Sequence, residues 1–333
     1  MTARVLVTGG AGYIGSVVVD QLLDQGCRVV VIDDLSSGHR AAVDARAAFA
    51  QGSIGDRALV ESLLARERVD AIIHLAAFAL VAESVANPEK YRANNVTAAR
   101  VLLDAALRAH VRCFVFSSSC AVYGHPAIVP ITEDTPQRPV NPYGETKRDF
   151  ERVLTEYTAD RGMTTVSLRY FNAAGATDRR GEDHDPETHL IPNVLAAAAG
   201  QRAAVPVFGT DYETADGTAV RDYIHVADIA DAHVRALELA QNGGAARGSH
   251  IALNLGTGTG HSVRQVVELA RRVTGTAIPV QEQPRRPGDP PALVAAVDRA
   301  RAVLGWRPTR SSLEDILKTA WDWYRAHPHG YRS

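Results

Sequence analysis

Ten residues near the start of the chain, Val7 to Ser16 (VTGGAGYIGS), constrain its fold more than any other segment. They join a β-branched apolar run, Ala3 to Thr8, to a helical pattern running from Tyr13 to Gln25. Gly9, Gly12 and Gly15 fall at the junction. Glycines there allow a tight turn, close approach of backbone to a pyrophosphate, and close packing of helix on strand, while the helix N-terminus offers N–H donors. The spacing is G-x-x-G-x-x-G rather than the commoner G-x-G-x-x-G. Because such turns also occur without a ligand, the next acidic residue carries weight. The following β-like run, Arg28 to Asp33, ends on an acid eighteen residues beyond Gly15. A carboxylate at that point accepts hydrogen bonds from an adenine-ribose diol and repels a 2′-phosphate, which favours NAD over NADP.

Up to about residue 175 the chain alternates short apolar runs with longer helical patterns. Expected strands are Ala3 to Thr8, Arg28 to Asp33, Val69 to Ala76, Val111 to Ser117 and Thr164 to Tyr170. Expected helices are Tyr13 to Gln25, Pro88 to Ala109 with Asn87 as N-cap, and Tyr143 to Asp160. This order implies an α/β, Rossmann-type doubly wound parallel sheet. With 333 residues the chain has length for about two domains at roughly 150 residues each. The expected division is a dinucleotide-binding domain over 1–175 and a smaller C-terminal α/β substrate domain over 176–333, with a segment around 220–256 recrossing to the first. In the second part a polar loop covers Thr177 to Thr188 and a Pro-punctuated stretch surrounds Ile191 and Pro192. Helical patterns return at Val226 to Gln241, Ser262 to Val273, Asp298 to Leu304 and Leu313 to Ala326.

Lys plus Arg number 36 against 38 Asp plus Glu, a net charge of −2, which disfavours a nucleic-acid binder. Three dispersed cysteines exclude a disulfide framework, and twelve scattered histidines with no ligand spacing point to no metal site. The longest apolar stretch, Ala71 to Ala82, is interrupted by His74 and is shorter than the roughly 18 residues of a membrane span. No charged and apolar leader pattern opens the chain, so the expectation is a soluble protein of the cytoplasm, with no membrane partner.

Asn141 to Lys147 reads NPYGETK, placing Tyr143 and Lys147 at i and i+4, on one face of a helix. A phenol of pKa about 10 is a poor base at neutral pH, and a nearby cation favours its phenolate. Only three of the 36 basic residues are lysines, Lys90, Lys147 and Lys318. A chain so biased toward Arg keeps Lys147 where a compact point charge suits the task. Upstream, Ser117, Ser118 and Ser119 follow the apolar run Cys113 to Phe116, so hydroxyls emerge at the strand end where open α/β sheets bind ligands.

With these residues in view the chain resembles the extended short-chain dehydrogenase/reductase superfamily and, within it, the UDP-glucose 4-epimerase family. Besides the motifs above, the resemblance rests on FSSSCAVYG from Phe116, LRYFNAAGA from Leu168, DGTAVRDYIHVADIADAHV from Asp216, NLGTG from Asn254, RRPGD from Arg285 and HPHGY from His327. It implies an NAD-dependent isomerase of galactose metabolism. Hydride leaves sugar C4 for NAD⁺, and the 4-ketose turns over and takes the hydride back on its other face. Tyr143 would be the acid/base, Lys147 its pKa partner and a ribose ligand, and Ser119 a donor to the 4-oxygen. Cofactor positions carried over are Gly9, Gly12, Tyr13, Ile14, Gly15, Asp33, Asp34, Ser53, Ile54, Leu75, Ala76, Ala77, Asn95 and Phe171. Those for the UDP-sugar are Asn172, His189, Leu190, Phe208, Arg221, Arg286, Asp289 and Leu293. Arg221 and Arg286 suit a diphosphate because the guanidinium fork matches phosphate oxygens.

The chain departs from the family at three places. Ser53 stands where many members carry Asp, Ala79 where some carry a phosphate-facing Lys, and Leu293 where some carry a pocket-closing Tyr. Other readings are 4-epimerisation of UDP-GlcNAc, UDP-xylose or UDP-glucuronate, or a non-catalytic NAD-sensing protein. The resemblance also implies a homodimer packed through the helices Pro88 to Ala109 and Tyr143 to Asp160.

Overall fold

In the computed structural model, residues 3–286 and 288–332 are described; Met1, Thr2, Pro287 and Ser333 lie outside them, including one residue of the RRPGD motif. The first half builds strands β1 (Arg4–Thr8), β2 (Arg28–Asp33), β3 (Ala48–Gln51), β4 (Ala71–His74), β5 (Cys113–Ser119) and β6 (Thr164–Tyr170). With the strand His250–Leu255 they form one parallel sheet in the order His250–Leu255, β6, β5, β4, β1, β2, β3. The chain direction of growth reverses between β1 and β4, which makes that pair the switch point where such sheets open a crevice for ligands.

Burial follows the strand alternation. In β1, Val5 and Val7 enter one core with α1 (Tyr13–Asp24) and the helix Val226–Gln241, while Leu6 enters the other. The second core is closed by α2 (Arg57–Glu67), α5 (Ala99–Arg108) and α6 (Pro142–Arg161), while α3 (Val81–Ala86) and α4 (Pro88–Arg92) pack outside it against α6. Helices on both faces of a parallel sheet give the doubly wound class anticipated above.

Several local expectations need correction. The helix expected over Pro88 to Ala109 is α4 and α5 joined by a π-helical stretch, Ala93–Ala98, and the Asn87 side chain makes no cap hydrogen bond. Helix α6 begins one residue earlier than expected, with Asn141 Oδ1 capping the Gly144 N–H at 2.8 Å and Pro142 at the first helical position. The Pro-punctuated stretch is the helix Leu190–Ala198, because Pro192 sits in the first turn, where its missing N–H has no intrahelical partner to lose.

The remaining elements form a smaller layer. A mixed three-stranded sheet joins Val220–Arg221 to His261–Ser262 and Ala292–Leu293, and Val205–Phe208 pairs with Val280–Gln283. A third core lies among the helices Leu190–Ala198, Val263–Thr274 and Leu313–Ala326. Among the described residues no helix is long and apolar enough to cross a membrane. Cys27, Cys113 and Cys120 are buried free thiols.

Candidate active site

The glycine loop is shaped by steric exclusion. Gly9 has φ +71°, a region that side chains resist, and a Cβ there would lie 2.6 Å from the Ala76 N. A Cβ on Gly15 would run into the Gly9 carbonyl oxygen, so α1 can start against β1 only with glycine at that position. Gly12 is the α1 N-cap and contributes no side chain, leaving the first-turn donors facing the loop. Asp33, at the end of β2, is buried; its carboxylate accepts the Ala11 N–H at 3.0 Å and the Leu35 N–H at 2.9 Å. Burial holds its pKa above the usual carboxylate range even though those two hydrogen bonds pull the other way. Asp34 is exposed and accepts only from Ser36 N at 2.9 Å.

Leu75, Ala76 and Ala77 line the loop after β4, beside Gly9. The Ala76 N–H reaches Thr8 Oγ1 at 3.2 Å. Ile54 is buried, whereas Ser53 is exposed and closes a turn by accepting the Gly55 N–H at 3.1 Å. Ile14 packs against the core under the loop, and the Tyr13 hydroxyl donates to the Gly175 carbonyl at 2.5 Å. The cradle therefore fits a dinucleotide: backbone donors, no obstructing Cβ, and a buried acid at one end. Asn95 is committed within the protein, because its amide donates to Phe78 O (3.0 Å) and Thr146 Oγ1 (3.2 Å) and accepts from Phe78 N (2.9 Å). It braces the loop after β4 against α6.

At the carboxyl end of β5 the three serines separate by strand alternation. Ser117 hydrogen-bonds the Tyr170 hydroxyl, Ser118 donates to Glu151 Oε1 on the opposite side, and Ser119 is left beside Tyr143. Tyr143 lies on the first turn of α6, where burial pushes its phenol up to about 12 and the Ser119 hydroxyl hydrogen-bonds it in partial compensation. One turn on, Lys147 is buried, with Nζ donating to the Ser117 carbonyl at 2.7 Å and lying 5.7 Å from the centre of the Tyr143 ring. Burial pulls its ammonium down to about 7, opposed by the charge of Glu151. His74 is buried among Phe114, Phe116 and Phe150; burial first, then the Lys147 charge, depresses it to about 3, so it is neutral and bound to Thr8 Oγ1 at 2.7 Å.

A network missed by sequence reasoning supports this end of the sheet. Glu151, one turn beyond Lys147, takes bonds from Ser118, Gln137 and both faces of the Arg169 fork, and Arg169 also donates to Tyr123 Oη at 2.9 Å. Glu151 at i+8 from Tyr143 was the available signal, since i, i+4 and i+8 share a helix face.

The expected sugar-nucleotide residues fall in two groups. Arg286 stacks over Phe208 at 3.9 Å, and the Asp289 N–H donates to the Arg286 carbonyl at 3.2 Å. Arg221 pairs in register with Leu293; its Nη1 donates to Val220 O and Pro290 O, leaving other N–H groups for a ligand. Leu293 and Phe171 pack with Cys120, next to Ser119, which brings this group to the catalytic strand end. Asn172 is joined to it through its N–H to Asp222 O at 2.9 Å. His189 and Leu190 open the helix Leu190–Ala198, but His189 is held in a cluster with Glu182, His184 and Glu187, and those carboxylates push it up to about 10 against the opposing effect of burial.

A glycine cradle ending in a buried acid, next to a Ser, Tyr and Lys at one strand end, defines a dinucleotide-dependent enzyme of the short-chain dehydrogenase/reductase class. The model of the NAD dependent epimerase/dehydratase family matches residues 5–256, and the chain belongs to that family. It is 49% identical to the UDP-glucose 4-epimerase of Lactobacillus helveticus over 98% of this chain and 99% of that one. The structure of UDP-glucose 4-epimerase from Brucella ovis in complex with NAD superposes with TM-score 0.93 at 46% identity, covering 97% of this chain and 98% of that chain. That of the Bifidobacterium longum enzyme in complex with NAD⁺ and UDP gives TM-score 0.93 at 37% identity, covering 98% and 100%.

Proposed function

We propose that the chain is an NAD-dependent 4-epimerase that interconverts UDP-glucose and UDP-galactose. The observation that carries the reading is the convergence of Ser119, Tyr143 and Lys147 at the end of β5, next to a cradle that closes on Asp33. When bound, NAD⁺ supplies a reversible hydride acceptor at sugar C4. The protein's own part is to move the 4-hydroxyl proton and hold the sugar. Tyr143 takes that proton and later returns it, Ser119 orients the 4-oxygen, and Lys147 supplies the positive charge that makes the phenolate accessible. A half-buried phenol held at about 12 is matched to this task only with cations beside it, so base strength and cofactor binding are coupled.

The glycine loop, Tyr13, Ile14, Asp33, Asp34, Ser53, Ile54, Leu75 to Ala77, Asn95 and Phe171 line the dinucleotide side, with Asn95 acting by bracing rather than by a free amide. Asn172, His189, Leu190, Phe208, Arg221, Arg286, Asp289 and Leu293 line the UDP-sugar side. In this reading residues 1–175 form the cofactor domain and 176–333 the sugar-nucleotide domain. The segment around 220–256 returns to the first, consistent with His250–Leu255 as a strand of the large sheet. The protein works in the cytoplasm as a homodimer packed through the Pro88 to Ala109 stretch, which holds α4 and α5, and through α6. Light scattering should give a mass near twice 35.7 kDa.

The test is a panel of UDP-glucose, UDP-GlcNAc, UDP-xylose and UDP-glucuronate with NAD⁺, scored by product sugar. UDP-galactose from UDP-glucose is the expected result. No turnover of UDP-glucose refutes the assignment, and turnover of UDP-GlcNAc as well would trace to Leu293 in place of a bulkier side chain.

A further inference from the structure

The loop expected only to be polar and charged, Thr177 to Thr188, brings Glu182, His184, Glu187 and His189 together, with one donor atom from each within 4.8 Å of all the others. The geometry points to a structural zinc site on these four side chains, separate from the reaction centre. Nitrogen and oxygen donors alternate around the cluster, with Glu187 turning a different carboxylate oxygen to each histidine. His184 Nδ1 lies 3.1 Å from Glu182 Oε1 and 3.8 Å from Glu187 Oε2. His189 Nδ1 lies 2.8 Å from Glu182 Oε1 and 2.8 Å from Glu187 Oε1. Four ligands at about 2.0–2.1 Å around a tetrahedral ion stand roughly 3.3 Å apart, and the observed edges bracket that value.

Hydrogen bonding alone leaves one edge of this ring unserved. Each Nδ1 carries at most one hydrogen, which His184 gives to Glu182 at 3.1 Å and His189 to Glu187 at 2.8 Å, so the 2.8 Å approach of His189 Nδ1 to Glu182 Oε1 has no hydrogen of its own. One divalent cation satisfies all four donors together. Two imidazoles select a borderline ion over magnesium or calcium, which prefer all-oxygen shells, and four protein ligands leave no open position for bound-water chemistry. The ring is also built on a braced loop. Arg180 pairs with buried Asp20 of α1 at 2.9 Å, and Asp183 accepts the Tyr331 N–H at 2.9 Å and pairs with His39 at 3.2 Å. A cavity of about 960 Å³, lined in part by Glu182, His184 and Glu187, gives the ion a route from solvent.

The consequence is a staple beside the cofactor. His184 stands edge-on to Tyr13 at 6.2 Å, and His39 follows the Asp33 loop, donating its N–H to the Ala11 carbonyl at 2.9 Å. Zinc would lock the Thr177 to Thr188 loop against both segments that frame the dinucleotide. His189 coordinates through Nδ1, leaving its other ring nitrogen for the sugar-nucleotide side.

The test is metal analysis of the full-length protein purified from zinc-supplemented medium and gel-filtered without chelator. Close to one zinc per chain is expected, falling to background in His184→Ala and in Glu187→Gln, with far-UV circular dichroism confirming that both are folded. Chelation of the wild type should lower its Tm, with recovery on adding zinc but not magnesium. Background zinc in the wild type, or full zinc in folded His184→Ala, overturns the site. If the variants do not fold, cobalt substitution of the chelated wild type decides. The intense visible bands of tetrahedral cobalt support the ring, and a weak octahedral spectrum contradicts it.

Discussion

Replacing Lys147 by Met removes its charge while keeping the length of the side chain, and so isolates what the ammonium does to Tyr143. The charge lies 5.7 Å from the centre of the phenol ring. At an effective dielectric of roughly 20 that separation is worth about 2.9 kcal/mol, or about two pKa units favouring phenolate. The pair titrates together, because a forming phenolate draws the ammonium, held at about 7 in its absence, back toward its charged state. Lys147→Met should therefore lower kcat near pH 7 by roughly 10²-fold and move the alkaline rise of kcat up by about two pH units, so that the deficit narrows as pH increases. The assay is the kcat–pH profile at saturating UDP-galactose with excess NAD⁺. A drop of the same factor at every pH, with the inflection unmoved, would refute the electrostatic role and leave Lys147 as a ribose-positioning group.

Stability should respond in the opposite direction. Because burial depresses Lys147, the unfolded chain binds more protons between about pH 7 and its ordinary value of 10.5, and the destabilising effect of the buried charge, complete below that window, fades through it. Urea denaturation at pH 7 should show Lys147→Met more stable than wild type, with the gap closing toward pH 10; a less stable variant at pH 7 contradicts this. Glu151→Gln breaks a pair with Arg169 in which both side chains are almost fully buried, so a loss of about 3–5 kcal/mol is expected by urea titration, and a loss below about 1 kcal/mol would exclude a supporting role. Asp33→Ala should weaken NAD binding at least tenfold, since hydrogen bonds to a charged partner are worth about 1.5–3 kcal/mol. Unchanged affinity by fluorescence titration would remove Asp33 from the cofactor site.

What could be read from sequence was what local chemistry dictates. The glycine loop and Asp33 stood out because only glycine tolerates the Gly9 conformation and the Gly15 approach, and β2 must end where an acid can face the cradle. The Tyr143 and Lys147 pair was readable because i,i+4 spacing is a property of one helix. Strand β3 has no legible pattern, since AFAQ is a short edge strand with no fully buried residue. Helix α2 does carry a helical signal, Val60, Leu63 and Leu64 at i, i+3 and i+4 behind Asp56 as N-cap, but Ala58, Leu59 and Ala65 spread apolar residues off that face and blur it. The Glu182, His184, Glu187 and His189 ring follows neither strand nor helix spacing and exists only because the loop folds back on itself. Ser118 and Ser119 look equivalent in sequence; the Glu151–Arg169 network, assembled from two separate elements, engages one and leaves the other to Tyr143.

The central claim is that the chain inverts C4 by removing a hydride and returning it to the same carbon. UDP-galactose deuterated at C4, incubated with the purified protein and NAD⁺ in ordinary water, tests it directly by mass spectrometry and NMR of the product. The account predicts UDP-glucose that keeps the deuterium at C4. Loss of the label to solvent, or no UDP-glucose at all, would contradict it.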